Sequence, residues 1–343
     1  MKWSWTSAAK LAVLLAIAVL VGIKVTHAWR DAAGQRVTID WRYAPLAVAG
    51  FGGVMVSSGL VWRRLAGQMG TQGHTVRFVA AYLFSQMGKY VPGKLFLLWM
   101  RIDRSQPYGM DAATCTLSTL LENALYMISG ALVGTVAVVR ISAQLTADGH
   151  ATAAALLWPA TLAVIGALGA ACHPAIFYGL VQRLLPTMNR LLARLKRPPI
   201  EIRQRLSSLQ LAASVILFFP CWICGAIALW AAAACVHPIP LVDSLWFAGA
   251  FALSVIIGMA SFLPAGIGIR EAVLGAALML QFEAGHVPHE DAVKLATVAV
   301  LLQRLFQITA EALFGICGGL VARKRKATPV TAEGTVSSPE AVV

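Results

Sequence analysis

Charge is scarce in this chain. Of its 343 residues 13% are Asp, Glu, Lys or Arg, 58% are hydrophobic, and only 15 are acidic. Soluble domains devote roughly a quarter of their residues to charge, so a soluble enzyme or binding domain is excluded. The six cysteines stand singly except Cys221 and Cys224. That pair lies inside an apolar run with no second pair and no neighbouring His, so it reads as helix packing rather than zinc or redox chemistry. Metal-ligand spacing is absent among the seven histidines; His286 and His289, beside Glu290 and Asp291, are the one weak candidate. The chain has no P-loop, no G-x-S-x-G and no H-E-x-x-H, and no aromatic–basic interleaving of the kind that binds nucleic acid. The expectation is no cofactor, no resident metal, no nucleic-acid partner and no enzymatic activity.

Long hydrophobic runs are what it has instead. Mean hydropathy is +0.72, and about 20 mostly apolar residues cross a bilayer as a helix. Six segments meet that length, about 8–26, 44–66, 110–139, 151–172, 207–235 and 292–321. The first has the outline of a signal peptide, but Thr26-His27-Ala28 makes a poor cleavage site, so it reads as a membrane helix. Two further stretches, 77–104 and 243–283, carry a proline–glycine break near the middle. Neither arm of either stretch spans comfortably alone, so each reads as a re-entrant hairpin. Unwound backbone at such depth must be satisfied by protein or by a water-filled cavity. The sequence therefore predicts an all-α polytopic membrane protein with about six spanning helices and two re-entrant hairpins. It forms one membrane domain over 1–326, with halves 1–172 and 207–326 joined by a cytoplasmic linker, 173–206, and a disordered tail, 327–343.

The net charge of +13 is explained by topology, because Lys and Arg collect on the cytoplasmic side. Place the termini, 63–77, 101–104 and 173–206 inside. Eighteen basic residues, Arg101 and Arg104 among them, then face the cytoplasm and six face outward. Both termini are expected in the cytoplasm of a bacterial inner membrane, with the first hairpin entering from the cytoplasm and the second from outside. A weak repeat agrees. Pro92 aligns with Pro264, and Leu120-Leu121-Glu122-Asn123 aligns with Leu301-Leu302-Gln303-Arg304. Two such halves of opposite orientation make the inverted repeat of secondary transporters; chance similarity of Leu/Ala-rich helices is the alternative. Residues 176–197 place Phe177, Leu180 and Leu184 opposite Arg183, Arg190 and Arg194, an interfacial helix or a plain linker.

The two breaks are ringed by charge. The first reads Gln86-Met87-Gly88-Lys89-Tyr90-Val91-Pro92-Gly93-Lys94 and the second Pro264-Ala265-Gly266-Ile267-Gly268-Ile269-Arg270-Glu271. Charged side chains at membrane depth are costly and mark pathways for polar cargo. Glu122, Arg304 and Glu311 lie at the same depth. Arg304, Gln307 and Glu311 share one helix face at i, i+3, i+7, yet Arg304 and Glu311 are too far apart to pair, so they must reach other elements or a substrate. One reading is a salt-bridge lattice that pins the hairpins. The other is a polar pocket whose exposed N–H groups and helix N-terminus favour an anion, phosphate above all. Lys89 and Lys94 make the first break purely basic, whereas Arg270-Glu271 makes the second self-compensating. The first is therefore expected to hold phosphate more tightly.

These two segments resemble the signatures of the lysylphosphatidylglycerol synthase transmembrane-region family, over roughly residues 8–322. The chain departs at Phe96, often Trp in the family, and at Ala265, often Gly. The resemblance implies a lipid-translocating module. It also implies an expectation that no synthase domain follows Arg323-Lys324-Arg325-Lys326. The leading expectation is a flippase or scramblase for a polar-headed phospholipid or polyprenyl-phosphate-type lipid. Membrane lipids are its expected partners, with a homo-oligomer and lipid-biosynthesis enzymes left open. A membrane enzyme acting on a lipid phosphate or lipid-linked sugar, or a non-transporting envelope scaffold, is the alternative.

Overall fold

The computed structural model describes residues 37–90, 95–194, 205–261 and 266–322, and every regular element among them is helical. The run at 8–26, the 327–343 tail and Pro92, Gly93, Lys94 and Pro264 lie outside the described residues. Six described segments are long and apolar enough to cross a membrane. The protein is a multi-pass, all-α membrane protein.

Local chemistry sets the helix starts. Asp40 accepts the Arg42 N–H at 3.1 Å and opens a short 3-10 turn that leads into α1, Ala44–Gln68. Helices α2, Thr75–Ser85, and α3, Leu95–Ser105, flank the first break. Helix α4, Ala112–Ala147, is capped by Asp111, whose carboxylate accepts the Thr114 N–H at 2.8 Å; an unpaired N–H of this kind is what an N-cap side chain exists to satisfy. Helices α5, Ala151–Cys172, and α6, Pro174–Arg194, follow. A Ser207/Gln210 capping box starts α7, Ser208–Ile216, and Pro220 starts α8, Phe219–Ala234. Helices α9, Ser244–Ala260, and α10, Ile269–Ala284, flank the second break. In α11, His289–Val321, Glu290 and Asp291 occupy the first turn, where negative charge opposes the helix dipole.

The two broken segments differ in reach. Helices α2 and α3 have 11 residues each, about 16 Å of rise at 1.5 Å per residue, against a hydrocarbon core of about 30 Å. Neither crosses alone. The second segment departs from expectation, because Leu241–Ala260 forms a 20-residue apolar span long enough to cross. A 3-10 turn at Leu241–Asp243 adds the missing length. The run at 207–235 is likewise two helices, since Pro220 has no N–H to continue α7.

Packing between the halves is reciprocal. The first arm of each broken segment packs on the long helix of the other half, α2 on α11 and α9 on α4, while α1 packs on α8. Both cross-half seams require glycine. A Cβ at Gly318 would stand 2.6 Å from the Ala80 carbonyl oxygen, and one at Gly249 2.6 Å from the Ala137 nitrogen. Backbone contacts this close are how helices associate in lipid, where no hydrophobic force drives them together. The core beneath the seams is built on Phe218, Trp222 and Phe251. Helix α5 packs mainly on α4 and is otherwise exposed. On α6, Tyr178 and Val181 face the protein while Ile176, Leu180 and Arg183 are exposed.

Gly318→Leu must push two backbones apart. It is expected to lower stability by about 1–3 kcal/mol, read as a lower melting temperature in detergent. Gly166→Ala on α5, where an added Cβ meets nothing within 4 Å, is expected to leave the melting temperature unchanged or slightly raised.

Candidate functional site

The two breaks meet at a cavity of about 190 Å³. Gln86 and Lys89 reach it from the 3-10 turn Gln86–Tyr90 that ends α2, and Leu97 and Arg101 from α3. Gly266 and Arg270 reach it from the second break, Glu122 and Tyr126 from α4, and Gln307 and Glu311 from α11. The rest of the wall is mostly apolar, with Phe51 and Met55 of α1 and Phe251, Val255 and Met259 of α9, joined by the polar Ser58, Tyr82 and Asn123. A room this size holds several waters, and it sets paired charges against hydrocarbon.

Ion pairs join the elements. Lys89 Nζ lies 2.5 Å from Glu311 Oε1, which also accepts the Gln307 amide at 2.7 Å; Gln303 donates to Gln307 at 3.1 Å. Arg101 Nη1 lies 2.7 Å from Glu122 Oε2, and Tyr82 donates its hydroxyl proton to Glu122 Oε1 at 2.7 Å. The Arg101 guanidinium also donates to Ser85 and Thr119 and stacks over the Tyr82 ring at 4.1 Å. Arg304 Nε lies 3.4 Å from Glu271 Oε1, while Glu271 Oε2 accepts the Gly268 N–H at 2.6 Å and caps α10. Each half thus ties the second arm of its broken segment to its own long helix, Arg101 to Glu122 and Glu271 to Arg304, with the charges exchanged. Lys89 to Glu311 bridges the two halves.

Arg270 is different. Among the described residues it makes no ion pair and its Nε is buried without an acceptor, and it sits 5.8 Å over the Phe251 ring. Arg304 Nη2 is also buried without an acceptor. The backbone makes room for Arg270. A Cβ at Gly258 would lie 2.4 Å from its Cγ, and one at Gly266 2.9 Å from its Cδ; Gly266 and Gly268 have φ of +66° and +88°. Only glycine holds such angles without strain.

The residues expected from sequence divide three ways. Gln86, Lys89, Glu122, Gly266, Arg270, Gln307 and Glu311 line the cavity. Arg304, Glu271 and Gly268 form an adjoining layer. Gly88 instead closes the first hairpin, since a Cβ there would lie 2.8 Å from the Leu97 backbone. Tyr90 ends the 3-10 turn, and its side chain lies outside the described residues, as do Pro92, Gly93, Lys94 and Pro264. Three pairings sharpen the expectations. Arg101, counted with the cytoplasmic charges, is 1% exposed and is the partner of Glu122. Glu271 forms its ion pair with Arg304 and not with its neighbour Arg270. Lys89 is paired with Glu311, one of the pairings the sequence left open. Tyr82 and Arg101 were missed; the only available signal was Arg101 falling four residues after Leu97 on one helical face. His289 pairs with Glu283, and no group of three His, Cys, Asp or Glu able to hold a metal occurs among the described residues.

Removing one partner of a buried pair strands the other. Arg101→Leu is therefore expected to cost about 3–5 kcal/mol. Adding Glu122→Leu to Arg101→Leu is expected to recover much of that loss in a melting experiment on the purified variants.

No curated protein matches the chain. The family model for the lysylphosphatidylglycerol synthase TM region matches residues 7–310, a span that takes in both broken segments and every cavity residue named above except Glu311. This chain belongs to the lysylphosphatidylglycerol synthase TM-region family.

Proposed function

We propose that this protein moves a polar-headed phospholipid or polyprenyl-phosphate-type lipid across a bacterial inner membrane, with both termini in the cytoplasm. The headgroup enters the cavity between the two broken segments while the hydrocarbon chains stay against lipid. The observation that carries this reading is the mixed cavity lining. Lys89, Arg101, Arg270, Glu122 and Glu311 line the same cavity as Phe51, Met55, Phe251, Val255 and Met259, and Arg270 lies over the Phe251 ring. An amphiphile matches both kinds of surface; a soluble solute matches only the polar one. The reciprocal packing of the halves supports an inverted repeat, in which the two broken segments enter from opposite faces and one half rocks against the other. With no nucleotide motif in the sequence, movement runs downhill or is coupled to an ion.

Purified protein in liposomes is expected to accelerate the exchange of fluorescent phospholipid or polyprenyl-phosphate analogues between leaflets. Folded protein that accelerates no lipid would sink this reading. A new lipid product in mass spectrometry of the same vesicles would replace it with a membrane enzyme acting on lipid phosphate.

A further inference from the structure

The charges around the cavity are not symmetric in what they leave open. Each carboxylate already accepts from two donors. Glu122 accepts from Tyr82 and Arg101, Glu311 from Lys89 and Gln307, and Glu271 from Gly268 and Arg304. A cationic headgroup would therefore have to share a carboxylate whose charge is already matched. The cations, by contrast, are in excess. Among the described residues Lys89, Arg101 and Arg304 each have a carboxylate and Arg270 has none, and Arg270 Nε and Arg304 Nη2 are each left without an acceptor. A charge at membrane depth without a counter-charge is expensive, and Gly258 and Gly266 give up their side chains to admit this one, which is half-buried at the cavity wall.

From this imbalance we infer that the cavity selects a net-negative headgroup, that Arg270 is the residue that receives its phosphate, and that aminoacylated, net-positive lipids are disfavoured. The inference rests on the lipid-moving reading for its source of phosphate, but it concerns binding and is tested as binding. A phosphodiester offers two anionic oxygens to a planar guanidinium, a geometry that suits Arg better than Lys. The apolar wall beside Arg270 lowers the local dielectric and strengthens that contact. A net-positive headgroup would bring its ammonium group beside Lys89, Arg101 or Arg304 to share a glutamate with it, at a cost in like-charge repulsion.

Full-length protein in nanodiscs is tested by native mass spectrometry against four probes. These are dioctanoyl phosphatidylglycerol, dioctanoyl phosphatidylcholine, a dioctanoyl aminoacyl-phosphatidylglycerol of net positive charge, and inorganic phosphate. Phosphatidylglycerol is expected to bind tightest. Inorganic phosphate is expected to bind weakly, because it lacks the chains that the apolar wall takes; if it binds equally, the site is one for free anion and the inference falls. Arg270→Gln is expected to weaken phosphatidylglycerol about tenfold, as for loss of one charge-assisted hydrogen bond. Glu311→Gln, which removes the charge that holds Lys89, is expected to tighten it, a direction misfolding cannot produce. Equal or tighter binding of the aminoacylated lipid, or Arg270→Gln and Glu311→Gln both without effect, overturns the inference. Charge-selective binding without any lipid movement would overturn the transport reading and leave this one standing. Lipid movement without charge preference would do the reverse.

Discussion

A charge in a bilayer core has to be answered by another charge, and this fold is organised around three such answers. Arg101 with Glu122, Glu271 with Arg304 and Lys89 with Glu311 hold the broken segments against the long helices α4 and α11. Without them, short arms such as α2 and α3 would have little reason to stay docked, since lipid satisfies an apolar helix as well as protein does. The glycine seams at Gly318 and Gly249 bring the backbones close; the ion pairs fix their register.

The pairs also divide the labour between the halves. Two of them lie within a half and lock each second arm to its own long helix. The third, Lys89 to Glu311, crosses between halves and lies at the cavity itself. A ligand that competes for Lys89 or Glu311 therefore acts on the contact that joins the halves, whereas Arg270 can be satisfied without breaking any pair. In the proposed reading, binding thus falls to Arg270 and movement to the Lys89–Glu311 contact.

Much of the fold was legible because hydrocarbon thickness imposes segment length. Residues 151–172 were read to the residue, since Asp148-Gly149-His150 and His173-Pro174 punctuate both ends. The last two turns of α4 were not, because Arg140 and Gln144 depress hydropathy while Arg140 is held by Gln281 and stacked on Trp246. The bend before Pro220 was hidden in a continuous apolar run. At the site, the charged residues other than Arg101 were legible and their pairing was not. Arg270-Glu271 are neighbours in sequence, yet on a helix adjacent residues face different directions, and Glu271 turns to Arg304. Arg101 was lost to the positive-inside count, which cannot distinguish a basic residue in a loop from one folded under the loop.

The central claim is that Arg270, unmatched among the described residues, receives a lipid phosphate. Its most direct test is an experimental structure of the protein in a phosphatidylglycerol bilayer. The account predicts headgroup density within hydrogen-bonding distance of the Arg270 guanidinium, with all three ion pairs intact and the chains along Phe251 and Val255. A cavity without lipid, with Arg270 paired to a glutamate, would contradict it.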